Sequence, residues 1–167
     1  MKRSNNVFVI GAMGVAGIAM LAASFAGRKP VLIWNYTASA PLGLYRSLDR
    51  PWQKGDWVAV KPEPRIAAML TQFGALKSGR LLIKRVAAVT GDEVCRHARV
   101  ITIDEKWSAD ARSQTSRGAH LPNWGGCLRL SKGEVLLLGE AEASFDGRYF
   151  GVSQATSIVG PMHHIGW

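Results

Sequence analysis

Leu81-Leu-Ile-Lys-Arg-Val-Ala-Ala-Val89 is the stretch on which the reading of this chain turns. At the two-residue period of a strand, Lys84 shares one face with Leu82, Val86 and Ala88, and Arg85 shares the other with Ile83, Ala87 and Val89. A strand apolar on both faces is a central strand covered from both sides. The two cations inside it are then the anomaly. A buried charge is costly unless it is paired or neutralised. Arginine keeps its proton, whereas lysine readily gives it up when desolvated. Lys84 is therefore a candidate for a depressed pKa, and Arg85 needs an anionic partner or solvent.

Working outward, Trp57-Val-Ala-Val-Lys61 and Val31-Leu-Ile-Trp34 are β-branched and aromatic and predict strands, as do Glu93-Val-Cys95, Arg99–Ile103, Val135–Leu138 and Ser157–Val159. Turn signals separate them at Asp49-Arg-Pro51, Lys54-Gly-Asp56, Lys77–Arg80, Thr90-Gly-Asp92 and Lys132-Gly-Glu134. One helix is predicted after Pro62-Glu-Pro64, because Ile66, Met69, Leu70 and Phe73 recur on a single helical face before Gly74. Residues 96–130 are less regular and predict an insertion with at most a hairpin, with Ala109–Gly118 as an exposed loop. Short strands, frequent turns and one short helix predict a mainly β domain.

The chain has 167 residues and a net charge of +9, with the cations scattered rather than clustered. No RNA- or DNA-binding signature accompanies them, so the reading carries no nucleic-acid partner. Met1-Lys-Arg3 is basic, and the 21 positions from Val7 to Gly27 carry no charge. That length crosses a hydrocarbon core of about 30 Å. Residues 1–28 are read as a retained N-terminal transmembrane helix, with a cleaved signal segment ending near Ser24-Phe-Ala26 as the alternative. Lys2 and Arg3 place the N-terminus in the cytoplasm and residues 29–167 outside it, on the periplasmic side of a bacterial inner membrane. The positive charge then suits anionic lipid head groups, and Trp34, Trp52 and Trp57 are candidates for the bilayer interface.

Two cysteines, Cys95 and Cys127, leave three readings open: a disulfide in an exported domain, two buried thiols, or a zinc site with His97 and His120.

The stretch Asn35-Tyr-Thr-Ala-Ser-Ala-Pro-Leu-Gly-Leu-Tyr45 begins nine residues after Ala26. Pro41 fixes its own φ and Gly43 permits angles closed to other residues, so the segment can present a serine at the end of a strand. Standard nucleophile motifs are absent: no G-x-S-x-G, S-x-x-K or H-E-x-x-H occurs. His97, His120, His163 and His164 have no serine and acid partner in sequence. A Ser-Lys pair fits better, since serine needs a base and a neutral lysine can be one. On the residues alone, Lys84 is either that base or a strand lysine that reaches water.

Thr37-Ala-Ser-Ala-Pro-Leu-Gly-Leu-Tyr45 resembles the nucleophile box of the signal peptidase I superfamily. Leu82–Asp92 resembles its lysine box, Lys54–Val60 the strand between them, and Ser144-Phe-Asp-Gly-Arg-Tyr-Phe-Gly151 its final box. The N-x-T-x-S-x-P-x-G-L-Y form is most similar to the TraF-type conjugal transfer peptidases, which mature a pilin and in the best-known case close it into a ring. The resemblance implies a signal-peptidase-like β domain of coiled antiparallel sheets. It implies Ser39 as nucleophile, Lys84 as general base, and Thr37 with the Ser39 N–H as oxyanion hole. It also implies that Ser144 orients the lysine, with Asp146 and Arg148 as a supporting ion pair. Ala40 stands where ordinary signal peptidases have methionine, and Gly139-Glu-Ala141 where they have G-D-N.

The leading expectation is thus a membrane-anchored serine endopeptidase acting on a membrane-associated pilin precursor, without metal or cofactor. A general signal peptidase for exported preproteins is the enzyme alternative. A non-catalytic assembly factor of a secretion or conjugation channel is the third.

Overall fold

The computed structural model describes residues 31–75 and 79–166. The expected N-terminal membrane helix and the first half of the expected Lys77–Arg80 turn lie outside those residues. Among the described residues no helix is long and apolar enough to cross a membrane.

Eleven strands form two antiparallel sheets. The larger contains β1 (Leu32–Asn35), β2 (Gly43–Ser47), β3 (Trp57–Val60), β4 (Leu82–Ala88), β9 (Glu134–Leu138), β10 (Ser153–Gln154) and β11 (Ile158–Gly166). Their order is β1-β2-β11-β3-β4-β9-β10. The smaller sheet contains β5 (Glu93–His97), β6 (Val100–Ile103), β7 (Lys106–Asp110) and β8 (Gly126–Arg129), in the order β7-β6-β5-β8. Two helices complete the described residues, α1 (Pro64–Gln72) and α2 (Gly147–Phe150), with a 3-10 turn at Ala155–Ser157.

The strand at Leu82–Ala88 is central, as its two apolar faces require. It lies between β3, with Val58 opposite Lys84, and β9, with Arg85 opposite Leu138. Val86 joins Val58, Val60, Val135 and Leu137 in one buried cluster, while Ile83 joins Ala40, Tyr45, Ala59 and Met162 in another. Arg85 takes the solvent option: it is exposed, donates to the Gly55 carbonyl at 3.0 Å and lies 5.9 Å from the Trp57 ring centroid. The α1 stripe is core packing, with Ile66 and Leu70 against Phe145, Tyr149 and Phe150.

Three features differ from the sequence reading. Residues 96–130 do not stop at a hairpin, because they supply most of a four-stranded sheet. Its strands are short and much of β8 is exposed, so alternation was weak there. Ala109 and Ala111 are buried rather than part of an exposed loop. At the C-terminal end, the expected Ser157–Val159 strand is nine residues long and runs between β2 and β3. Gly160 and Pro161 inside it hid its length, and the register shifts at Ile158/Gly160.

Cys95 and Cys127 are direct cross-strand partners in β5 and β8 and are joined by a disulfide. His97 Nε2 lies 3.8 Å from Cys127 Sγ, but with both sulfurs in the disulfide neither thiolate that zinc would need is present. The link closes a 32-residue separation. Replacing both cysteines by serine is expected to lower unfolding stability by about 2–4 kcal/mol in urea titration, and dithiothreitol should do the same to the unsubstituted chain.

Candidate active site

The residues proposed from the sequence come from three separate places in the chain. Ser39 and Thr37 sit in the turn between β1 and β2. Lys84 is in β4. Ser144 lies in the loop between β9 and α2. All four line one cleft of about 520 Å³, together with residues 32–36, 80–83, 141, 143 and 145.

Asn35 builds the serine turn. It is the last residue of β1, and its side chain is buried. Its Nδ2 lies 2.9–3.0 Å from the carbonyl oxygens of Thr37, Ala40 and Pro41. Its Oδ1 accepts from the Thr37 N–H at 3.2 Å and from the Thr37 hydroxyl at 3.0 Å. An asparagine can both donate and accept, and here it replaces the strand ladder for the turn that follows it. Tyr45 closes the other end by donating to the Pro41 carbonyl at 2.9 Å. Gly43 is required where the turn re-enters β2: its φ is +124°, and a Cβ there would stand 2.7 Å from the Gly166 carbonyl. Ala40 is buried beneath the turn.

Ser39 Oγ lies 3.1 Å from Thr37 Oγ1. Since Thr37 gives its single hydrogen to Asn35, the Ser39 hydroxyl is the donor in that contact. Lys84 is 2 % exposed, and its Nζ donates to Ser144 Oγ at 2.6 Å. Burial is the main cause that lowers the Lys84 pKa to about 8; Asp146 opposes the shift and Arg148 adds to it. The resting hydrogen bonds are therefore Ser39 with Thr37 and Lys84 with Ser144. Among the described residues, no direct Ser39–Lys84 hydrogen bond accompanies them.

Asp146 and Arg148 stand behind the cleft rather than in it. Both are buried and paired at 2.8 Å. The Arg148 guanidinium also donates to the carbonyls of Gly139 at 2.7 Å and Ala141 at 2.9 Å. Asp146 accepts from the Gly139 N–H at 2.7 Å and caps α2 through the Arg148 N–H at 3.0 Å. The pair thus fixes the loop that carries Ser144. That loop in turn holds the serine turn, because the Glu140 N–H donates to the Ser39 carbonyl at 2.9 Å.

Two contributors escaped the sequence reading. Asn35 was visible only as the first letter of a motif, without a role. Gly139 appears there only as the first letter of Gly139-Glu-Ala141, again without a role. A Cβ on Gly139 would collide with the Ser144 side chain and stand 2.8 Å from the Ser39 carbonyl. No signal in one sequence separates this glycine from a turn glycine. The histidines stay out of the cleft: His163 is exposed, and His164 contacts the Leu42 carbonyl at 2.8 Å and the Tyr45 ring.

Two unpaired strand edges also belong to this cleft. Among the described residues β1 pairs only with β2, leaving its other edge free. β4 meets β9 only from Arg85 onward, so Leu82–Lys84 are unpaired on that side. A cleft bordered by free backbone donors and acceptors can take an extended peptide as an added strand.

A cleft of this kind, with a buried lysine and a held serine, defines a peptidase-like site, and the chain belongs to the signal peptidase family, peptidase S26, whose profile matches residues 4–167. It is 34% identical over 163 residues to the conjugal transfer protein TraF of Agrobacterium fabrum (strain C58), covering 91% of this chain and 92% of that one. It is 31% identical over 164 residues to a plasmid transfer protein TraF of Escherichia coli, covering 89% and 90%. Superposition on a signal peptidase I from Enterococcus faecalis V583 gives a TM-score of 0.42 at 19% identity, covering 68% of this chain and 98% of that one.

Removing the Asp146 charge tests the support behind the cleft. Asp146→Asn leaves Arg148 buried without its counter-charge, so unfolding stability should fall by about 3–5 kcal/mol in denaturant titration. A loss below 1 kcal/mol would mean that the loop carbonyls alone satisfy the guanidinium.

Proposed function

We propose that this protein is a membrane-anchored serine endopeptidase that uses a Ser39–Lys84 dyad to process a conjugative pilin precursor. The observation that carries the reading is Lys84: a buried amine with a pKa lowered to about 8, in the same cleft as Ser39. A neutral amine near physiological pH is what a general base for serine requires. The TraF relatives favour a conjugative substrate over preproteins at large, and the absent methionine after Ser39 points the same way.

In the proposed reaction an extended substrate lies along the free edges of β1 and β4. Its binding brings the Ser39 hydroxyl from Thr37 to the Lys84 amine; catalytic hydrogen bonds commonly tighten only once substrate is bound. Lys84 takes the proton as Ser39 Oγ attacks the scissile carbonyl. The oxyanion receives the Ser39 N–H and the Thr37 hydroxyl, which turns away from Asn35. The Lys84 ammonium, held by Ser144, passes its proton to the leaving amine. Water, or the amino terminus of the pilin itself, then attacks the acyl-enzyme. The second outcome yields a ring.

The membrane placement rests on sequence and exposure together. Val31, Leu32 and Trp34 are each more than half exposed, and only Arg28-Lys-Pro30 separates them from the apolar N-terminal segment in the chain. An exposed apolar strand beside a substrate cleft suits a bilayer surface on the periplasmic side, where a membrane-inserted substrate presents its scissile bond.

Co-expression with a candidate pilin and mass spectrometry tests the assignment. Ser39→Ala and Lys84→Ala should each abolish processing while leaving the circular-dichroism spectrum unchanged, and Thr37→Val should slow it by about 10²–10³. Full processing by either dyad variant would leave the protein as an assembly factor. Cleavage of unrelated preproteins at comparable rates would favour a general signal peptidase.

The pH dependence follows from the direction of the Lys84 shift. Below its pKa the amine is an ammonium and cannot accept the serine proton; above it the base is free. kcat/KM should therefore rise with pH through an inflection near about 8. A profile flat from pH 6 to 9 contradicts the lysine as base.

A further inference from the structure

The mouth of the cleft carries a cation that the proposed chemistry does not use. Arg80 and Tyr36 both line the cleft, approaching it from the segment before β4 and from the turn after β1. Arg80 Nη1 donates to the Tyr36 hydroxyl at 2.5 Å, and its guanidinium carbon lies 5.1 Å from the Tyr36 ring centroid. Tyr36 is 54% exposed and Arg80 is also exposed. Among the described residues Arg80 has no ion-pair partner, and its side-chain hydrogen bond goes to Tyr36. A guanidinium offers five donors in a planar fork, so a single phenol oxygen leaves most of them unused.

We infer that Arg80 and Tyr36 form a latch across the substrate cleft that opens for a peptide carrying an acidic side chain, making Arg80 a specificity-determining residue. A carboxylate accepts two parallel N–H bonds from the fork, and charge-assisted bonds of this kind are about twice as strong as neutral ones. It therefore displaces the Tyr36 hydroxyl, which a neutral side chain does not. Position follows from strand geometry. Arg80 stands two residues before β4 begins and precedes Lys84 by four, at most about 13 Å along an extended chain at ~3.3 Å per residue. An extended substrate with its scissile bond at Ser39 and Lys84 thus places a residue three or four positions away opposite Arg80. The substrate class is an extended peptide with Asp or Glu at that distance from the cut. The inference rests on the reading of this cleft as a peptide site but does not need the serine to react.

Binding separates the two questions. Full-length Ser39→Ala protein, which cannot consume the peptide, is titrated against fluorescein-labelled alanine-rich octapeptides carrying one Glu, Gln or Lys at each position in turn. Fluorescence anisotropy should show one position where Glu binds about three- to tenfold tighter than Gln and tighter still than Lys. Arg80→Glu should reverse that order, and Tyr36→Phe should tighten the Glu peptide without changing the Gln peptide. Equal binding of the three, a preference that survives Arg80→Glu, or no binding of any peptide overturns the latch. So does an Arg80→Glu effect confined to binding of phosphatidylglycerol vesicles, which would give the cation to a lipid head group. If the unsubstituted chain cleaves nothing while the acid preference stands, the peptidase assignment fails and the subsite remains.

Discussion

The Arg148 guanidinium, buried with Asp146 as its counter-charge, holds the carbonyls of Gly139 and Ala141 while Asp146 holds the Gly139 N–H. Everything that makes the cleft depends on that clamp. It sets the path of the chain between β9 and α2, which places Ser144 against Lys84 and the Glu140 N–H against the Ser39 carbonyl. The smaller sheet is tied to the same point, because Arg96 donates to the Arg148 carbonyl at 2.5 Å and Trp124 to the Gly147 carbonyl at 2.9 Å. A buried ion pair is seldom a large net source of stability. Its contribution here is geometric: a planar fork meeting fixed carbonyls admits few alternative loop paths.

The same pair explains the electrostatics of Lys84. A lone buried carboxylate nearby would hold the lysine charged, and a lone buried guanidinium would push it further towards neutrality. With both present, their influences oppose each other, and desolvation remains the largest cause of the shift. The fold thus lowers the lysine pKa through burial in β4 while keeping a charged pair behind the cleft. Ser144, the hydrogen-bond partner of the amine, leaves Nζ able to reach a second acceptor in the cleft.

Backbone edges supply the other half of the site. β4 is paired on both sides at Arg85, on the β9 side at Val86 and Ala88, and on the β3 side alone at Leu82 to Lys84. The change occurs where β9 ends at Leu138 and the loop beginning at Gly139 takes over. A glycine in that place is what allows the approach to Ser144 and Ser39. A single missing side chain at the end of the ladder thus admits Ser144 and the Ser39 carbonyl to the same corner.

Much of this was written in local sequence. The β4 stretch, apolar on both faces, announced a central strand and marked Lys84 as a candidate buried amine, but periodicity alone did not separate it from Arg85, which is exposed. The α1 stripe and the Asn35–Tyr45 turn were legible because their defining interactions lie within a few residues, as the bonds from Asn35 to Thr37, Ala40 and Pro41 show. The small sheet was not legible, since its short strands expose many side chains and depend on pairing across 32 residues, as between Cys95 and Cys127. The strand β11 was obscured by its own Gly160-Pro161. Sequence by itself determined the central strand, the apolar face of α1 and which turn would hold a serine. Only the tertiary structure decided that Ser39, Lys84, Ser144 and Arg80 share one cleft, and that Gly139 must lack a side chain. Those are contacts between segments separated by up to about a hundred residues, and no local period encodes them.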